Sequence, residues 1–263
     1  VQLAAEADKA KLADEADRLR AALLTSISHD LKTPLAAILG AAGTMREYAD
    51  KLDKDAQLEL IGTIIDESER LNRFIVNLLD MTRIESGAMR PNFALHYIGD
   101  IVGTALSRAA KITARHRTEI DVPSDVPMVR VDPVLFEQVL FNLIDNAAKY
   151  APEGTTIRIE ARRQDQSVVL AVMDEGSGIP AEDLERVFDS FYRVRKADTV
   201  RAGTGLGLSI SRGFVEAMGG RIAAGNRADG RGAVFTITLP APAEMAAVEE
   251  SDDDNGSENP RGR

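Results

Sequence analysis

The first 87 residues contain almost no turn chemistry, and this constrains the fold more than any other feature of the chain. From Val1 to about Gly87 the sequence is dominated by Ala, Leu, Glu and Lys, all strong helix formers. Leu12, Ala16, Leu19, Leu23, Ile27, Leu31, Leu35 and Ile38 recur every three or four residues, the pattern of one apolar stripe along a long helix. A break falls at "EYADKLDKD", where Asp53 is suited to cap the next helix. That second helix carries Leu58, Ile61, Ile65, Leu71, Ile75, Leu78 and Met81, and Gly87 and Pro91 stop it. Two antiparallel helices bury only one seam. The expected solution is a helical hairpin that pairs with a second copy into a dimeric four-helix bundle.

Beyond Pro91 the character changes. "MVRVD", "TTIRIEAR", "SVVLAVMD", "GRIAAGN" and "AVFTITLP" read as strands, the last alternating Phe235, Ile237 and Leu239 with polar residues. Helical patterns lie between them at "PVLFEQVLFNLIDNAAKYA" and "GLGLSISRGFVEAMGG". This predicts an α+β sandwich with helices on one face of a mixed sheet. The expected division is 1–90 for the hairpin with its N-terminal coiled-coil-like extension, 91–243 for the sandwich, and 244–263 for an acidic disordered tail. The chain opens in mid-helix pattern and without methionine, which reads as the continuation of a longer protein.

Within the first helix, "SISHDLKTPL" places an ionisable pair beside a helix breaker. At about 100° per residue, His29 points roughly 160° away from the apolar stripe, toward solvent. Thr33 lies one turn along the same side, Asp30 on the flank, and Pro34 loosens the helix just beyond. A neutral imidazole is a competent nucleophile toward a phosphoryl group when a neighbouring base takes its proton, and Asp30 is the nearest candidate. Thr33 is placed to orient a water for the reverse, hydrolytic task. A surface histidine with no chemistry is the competing interpretation, and the rest of the chain decides between them.

Three further stretches bear on that choice. In "FEQVLFNLIDNAAKYA", Asn142 and Asn146 are four apart and share a helix face, approximately with Lys149. Amides there suit a ligand and a phosphate-bound Mg²⁺, which takes few protein ligands; a merely wet helix face is the alternative. In "VMDEGSGIP", an apolar strand runs into Asp174, Gly176 and Gly178, letting backbone approach a planar ligand while the aspartate accepts from an exocyclic amine. In "AGTGLGLSIS", Gly203, Gly205 and Gly207 precede a helix, so backbone N–H groups can gather around phosphates. The Walker lysine pattern is absent, and no GxGxxG opens a βαβ unit. Between these stretches, Phe188, Phe191 and Tyr192 with Arg193, Arg195, Lys196 and Arg201 read as a lid with aromatic anchors, at least one of them packed in the core.

In order and spacing, these elements resemble the transmitter module of bacterial two-component sensor histidine kinases, over roughly Leu19 to Pro240. The resemblance implies a dimerisation and phosphotransfer hairpin followed by a Bergerat-type (GHKL-like) ATP-binding domain. It implies His29 as phospho-acceptor, Asp30 as its general base and Thr33 as the residue placing a water for dephosphorylation. Asn142 and Asn146 would hold Mg²⁺ and ATP, while Lys149, Tyr150 and Arg193 line the nucleotide pocket. Asp174 would read adenine, with Gly176 and Gly178 shaping its pocket, and Gly203, Thr204, Gly205, Leu206 and Gly207 would close over the phosphates. Related ATPases of the gyrase and Hsp90 kind carry a water-activating glutamate where this chain has Asn142. The implied partners are a second copy and a response-regulator receiver domain, for a cytoplasmic portion of a protein anchored in the bacterial inner membrane. A GHKL-type ATPase and a non-catalytic nucleotide-binding scaffold are the alternatives.

Composition closes off other classes. There is no cysteine, hence no disulfide, thiolate zinc site or cysteine nucleophile. With 42 acidic against 32 basic side chains the net charge is −10, which argues against a nucleic-acid footprint. No apolar run approaches the ~18 residues a spanning helix needs, so no membrane contact is expected from this part.

Overall fold

The computed structural model describes residue 28, residues 31–194 and residues 204–241. His29, Asp30 and Gly203 lie outside the described residues, as do Arg195, Lys196 and Arg201, the N-terminal extension and the 244–263 tail.

Helix α1 spans 31–48 and ends where the Tyr48 carbonyl accepts from the N–H groups of Lys51 and Leu52. Helix α2 spans Lys54–Glu85. Asp53 caps it as expected, its Oδ1 accepting from the Ala56 N–H at 2.7 Å, and Gly87 follows with φ +63°. Gln57 ties the turn together by donating to the carbonyls of Ala49 and Leu52. The apolar stripe is open within a single chain: Leu35, Leu39, Leu58, Ile61 and Ile65 are all exposed. A hairpin closes one seam and leaves its second face without a neighbour. Thr33 is exposed, as its place opposite the stripe predicts.

The remainder is a two-layer sandwich. β1 (Ala94–His96) pairs antiparallel with β3 (Val129–Val131) as a separate small sheet. The main sheet has five strands in the order β2-β4-β5-β7-β6: β2 (Arg117–Asp121), β4 (Thr156–Gln164), β5 (Ser167–Met173), β6 (Arg221–Asn226) and β7 (Ala233–Pro240). β2 runs parallel to β4 and the other pairs are antiparallel. Ile157 and Ile159, Val168, Leu170 and Val172, and Phe235, Ile237 and Leu239 alternate into one buried face. Against that face pack α3 (Ile98–Thr113), α4 (Pro133–Tyr150) and α5 (Gly207–Ala217). Asp132 starts α4: its Oδ1 accepts from the N–H groups of Val134 and Leu135, Oδ2 accepts from Asn92, and Pro133 follows at the first helical position.

The five expected strands and both expected helices of this region form, while α3, β1 and β2 are additions to the sequence reading. The two layers also meet the hairpin. Phe74 of α2 is buried in the shared core, Ile84 rests on Gly213 of α5, and Lys111 of α3 pairs with Asp66 at 3.0 Å.

Candidate nucleotide site

The C-terminal half of α4, the end of β5 and the start of α5 enclose a cavity of about 850 Å³, with α2 as its outer wall. That volume is in the range of small-molecule and cofactor sites. Asn142, Asn146, Lys149, Tyr150, Asp174, Gly178, Arg193, Thr204, Gly205 and Gly207 all line it, so one space gathers sequence stretches up to 65 residues apart.

The two asparagines do different things. Asn146 lines the cavity with no hydrogen-bond partner among the described residues, which leaves its amide for a ligand. Asn142 is 9% exposed and already engaged: its Nδ2 donates to the Gly207 carbonyl at 3.1 Å and to Ser211 Oγ at 3.3 Å, and its Oδ1 accepts from Gln138. Asn142 thus lines the cavity and at the same time ties α4 to α5. A buried amide left without partners would cost too much to leave idle. Lys149 is likewise half-spoken for, since its ammonium pairs with Asp145 one turn back.

Asp174 is 4% exposed at the end of β5. Its Oδ1 accepts from the Gly176 N–H at 2.7 Å and the Ala233 N–H at 3.1 Å, fixing the carboxylate plane, and no other side-chain hydrogen bond joins it among the described residues. Burial pushes this carboxyl above its ordinary value, while those two N–H groups and Arg227 pull the other way. Gly176 does not line the cavity. A Cβ there would sit 2.8 Å from the Tyr150 carbonyl oxygen, so this glycine lets β5 approach the end of α4. Gly178 has φ +73°, a conformation L side chains rarely adopt.

At the start of α5, Gly205 has φ +69° and its carbonyl accepts from the Phe191 N–H at 2.9 Å. Phe191 itself sits at φ +65°, unusual for a bulky residue. Phe188 packs edge-on against Phe235 at 6.3 Å and is a core residue, as expected for at least one of these aromatics. Tyr192 donates to Asp183. Leu206 is fully buried in the core and does not line the cavity; its N–H points to Thr204 Oγ1 at 3.4 Å. Among the described residues no group of three or more His, Asp or Glu is disposed to hold a metal by itself. The donor set present, the Asn146 amide beside room for phosphates, fits a Mg²⁺ carried by its substrate.

Sequence reasoning passed over several residues here. Phe74 and Arg70 reach the cavity from α2, and Asn226 at the end of β6 and Arg227 just after it brace its floor.

Residues 131–243 match the family described as histidine kinase-, DNA gyrase B-, and HSP90-like ATPase, and residues 19–87 match the His Kinase A (phospho-acceptor) domain. The chain belongs to the sensor histidine kinases. Sensor protein KdpD of Clostridium acetobutylicum is 41% identical over 239 residues, which is 90% of this chain and 26% of that relative. The chain thus spans about a quarter of the length of this relative. Among solved kinases of the family, Acinetobacter baumannii AdeS is 26% identical with a TM-score of 0.63, covering 82% of this chain and 98% of the other. ShkA, solved full-length in complex with AMPPNP, is 25% identical with a TM-score of 0.61, covering 83% of this chain and 45% of the other. These likenesses bear out the expected hairpin followed by an ATPase-type sandwich, and within the sensor kinases the chain is similar to KdpD.

Proposed function

We propose that this chain is the catalytic portion of an ATP-dependent autokinase. ATP occupies the α4–α5 cavity, its adenine amine donating to Asp174 and its phosphates lying toward Asn146 and the N-terminus of α5. His29 attacks the γ-phosphorus; the N–P bond forms as the bond to the bridging β–γ oxygen breaks, ADP leaves, and the imidazole proton passes to Asp30. Mg²⁺ held by the phosphates and Asn146 would neutralise the charge on the triphosphate. The phosphoryl group then moves to an aspartate of a response-regulator receiver domain, and Thr33, exposed on α1, orients the water for the opposing hydrolysis.

The observation that carries this reading is a nucleotide-sized cavity, with an amide unpartnered among the described residues and a half-engaged buried carboxylate, walled by the hairpin that bears the phospho-acceptor motif. Asn142 also speaks against a gyrase- or chaperone-like ATPase. Its Nδ2 donates to the Gly207 carbonyl, a bond that a water-activating carboxylate cannot make.

The open stripe of Leu35, Leu39, Leu58, Ile61 and Ile65 supports a homodimeric four-helix bundle, since burying the half of each side chain that is still exposed gains about 1 kcal/mol apiece. The functional division runs near residue 90, with the ATP-binding unit ending near 243. No helix among the described residues is long and apolar enough to cross a membrane. By its likeness to KdpD we place this portion on the cytoplasmic side of a membrane-anchored parent.

Incubation with γ-labelled ATP and Mg²⁺ tests the reading. The expected product is an acid-labile, base-stable label on the protein that is absent in His29→Gln. Label that survives this substitution, or bound nucleotide with no label at all, would favour the ATPase or scaffold alternatives.

A further inference from the structure

The segment from Asp174 to Pro180 forms the floor of the cavity, and a single β-hairpin holds both of its ends. At the near end, the Asp174 N–H donates to the Ala233 carbonyl at 3.1 Å, and Asp174 Oδ1 accepts from the Ala233 N–H. The Gly232 backbone is pressed so close that a Cβ there would fall 1.9 Å from the Asp174 carbonyl oxygen. At the far end Asn226, the last residue of β6, reaches the backbone of Ile179. Its Oδ1 accepts from the Ile179 N–H at 2.7 Å and its Nδ2 donates to the Ile179 carbonyl at 2.7 Å. One side chain thus satisfies both backbone groups of one loop residue, as a neighbouring strand would. Arg227, next in sequence, donates to the Asp174 carbonyl at 3.4 Å and lies 3.9 Å from Glu175.

This pairing also explains the backbone at Gly178. A Cβ on that residue would lie 2.7 Å from Asn226 Oδ1, so the amide and a side chain at 178 cannot coexist. Asn226 is solvent-exposed, contributes nothing to the hydrophobic core and does not itself line the cavity. Ile179 and Gly178, the residues it fixes, do line the cavity.

We infer that Asn226 is a positioning residue for the adenine end of the nucleotide. It rests on the nucleotide reading above and deepens it: the side chain pre-sets the width of the slot between Asp174 and Ile179 before ligand arrives. Pre-setting a loop reduces the ordering that binding must otherwise impose, so its loss weakens affinity without touching the phosphoryl-transfer step.

The full 263-residue chain and its Asn226→Ala and Asn226→Asp variants decide the matter. Removing both hydrogen bonds is expected to raise the dissociation constant for ADP about tenfold. The same factor should appear for a non-hydrolysable ATP analogue, because both share the adenine end. The KM for ATP rises with it while kcat at saturation holds. Asn226→Asp keeps the acceptor and loses the donor, so it falls between wild type and Ala. Amide hydrogen exchange at Ile179 reads the brace without ligand, and it should quicken in Asn226→Ala with the melting temperature little changed. Unaltered ADP affinity in Asn226→Ala, a loss confined to the triphosphate, or a fall in kcat equal to the rise in KM would each overturn the inference. Wild-type protein that takes up no ADP would instead overturn the nucleotide reading itself.

Discussion

Asn142 of α4 donates its side-chain amide to the carbonyl of Gly207, the first residue of α5, across 3.1 Å, while Asn146 one turn later makes no such bond among the described residues. The two asparagines therefore answer differently to the same substitution. Asn142→Asp sets a carboxylate against a carbonyl in a buried position, which costs about 1–3 kcal/mol for the unsatisfied acceptor and more for the buried charge. It should lower the melting temperature and autophosphorylation together. Asn146→Asp alters a residue facing the cavity, so labelling from γ-labelled ATP should fall while the melting transition stays in place. Calorimetry on both variants separates the roles, and an equal loss of stability in the two would contradict them.

This pair also marks how far the sequence can be read. Helical spacing puts Asn142 and Asn146 on one face, but it says nothing of what that face meets, and α5 lies 65 residues away in the chain. The motif order places Asp174, Gly178 and Gly205 in one site, and all three line the same cavity. Helix α3 escaped notice because Gly99, Gly103, Thr104 and Ser107 dilute its propensity; its stripe of Ile98, Ile101, Val102 and Ala105 becomes decisive only against α4. All five residues of β2 are exposed, so it shows no alternation and exists through its backbone ladder with β4. Asn226 escaped because its partner, Ile179, is 47 residues back and the contact is to backbone, which leaves no local pattern.

Asp174 gives a prediction with a sign in pH. Burial is the largest influence on its carboxyl and raises it above the usual 3.8, so the native state holds this proton more tightly than the unfolded chain. Relative to Asp174→Asn, the wild type should be most stable below pH 3.8 and should lose that advantage as pH rises through the native value. At neutral pH the variant is expected to melt at or above wild type, because an asparagine Oδ1 still accepts from Gly176 and Ala233 without a buried charge. That same orientation turns an NH₂ group toward the adenine amine, donor against donor, and ADP affinity should fall tenfold or more. Melting curves from pH 3 to 7 beside ADP titrations check both halves; a variant that binds ADP like wild type would remove Asp174 from the site.

Gly205 and Phe191 share a constraint. Gly205 has φ +69°, its carbonyl receives the Phe191 N–H, and a Cβ on it would sit 2.8 Å from the Phe191 Cα. Gly205→Ala therefore adds a steric clash to an unfavourable backbone conformation, each of about 1–2 kcal/mol. The chain before α5 should move off Phe191. Affinity for a non-hydrolysable ATP analogue is expected to drop several-fold, with ADP affected less, since this segment faces the phosphate end. Equal weakening for the two nucleotides would place Gly205 at the adenine end instead.

Where α2 crosses α5, Gly213 decides how closely the helices pack. A Cβ at 213 would lie 2.7 Å from Cδ1 and Cγ2 of Ile84, so alanine there forces Ile84 to shift at a cost of about 1–3 kcal/mol. Against that stands the helix-propensity gain of Gly→Ala, about 1 kcal/mol. In the wild-type background the crowding wins or balances, and backbone exchange along α2 near Ile84 should quicken. In an Ile84→Ala background the obstruction is gone, and Gly213→Ala should become stabilising by about 1 kcal/mol. The double-mutant cycle thus predicts a coupling of opposite sign to the crowding itself. Strict additivity in denaturant melts would mean that α2 does not rest on α5 in solution, and the cavity would then lack its outer wall.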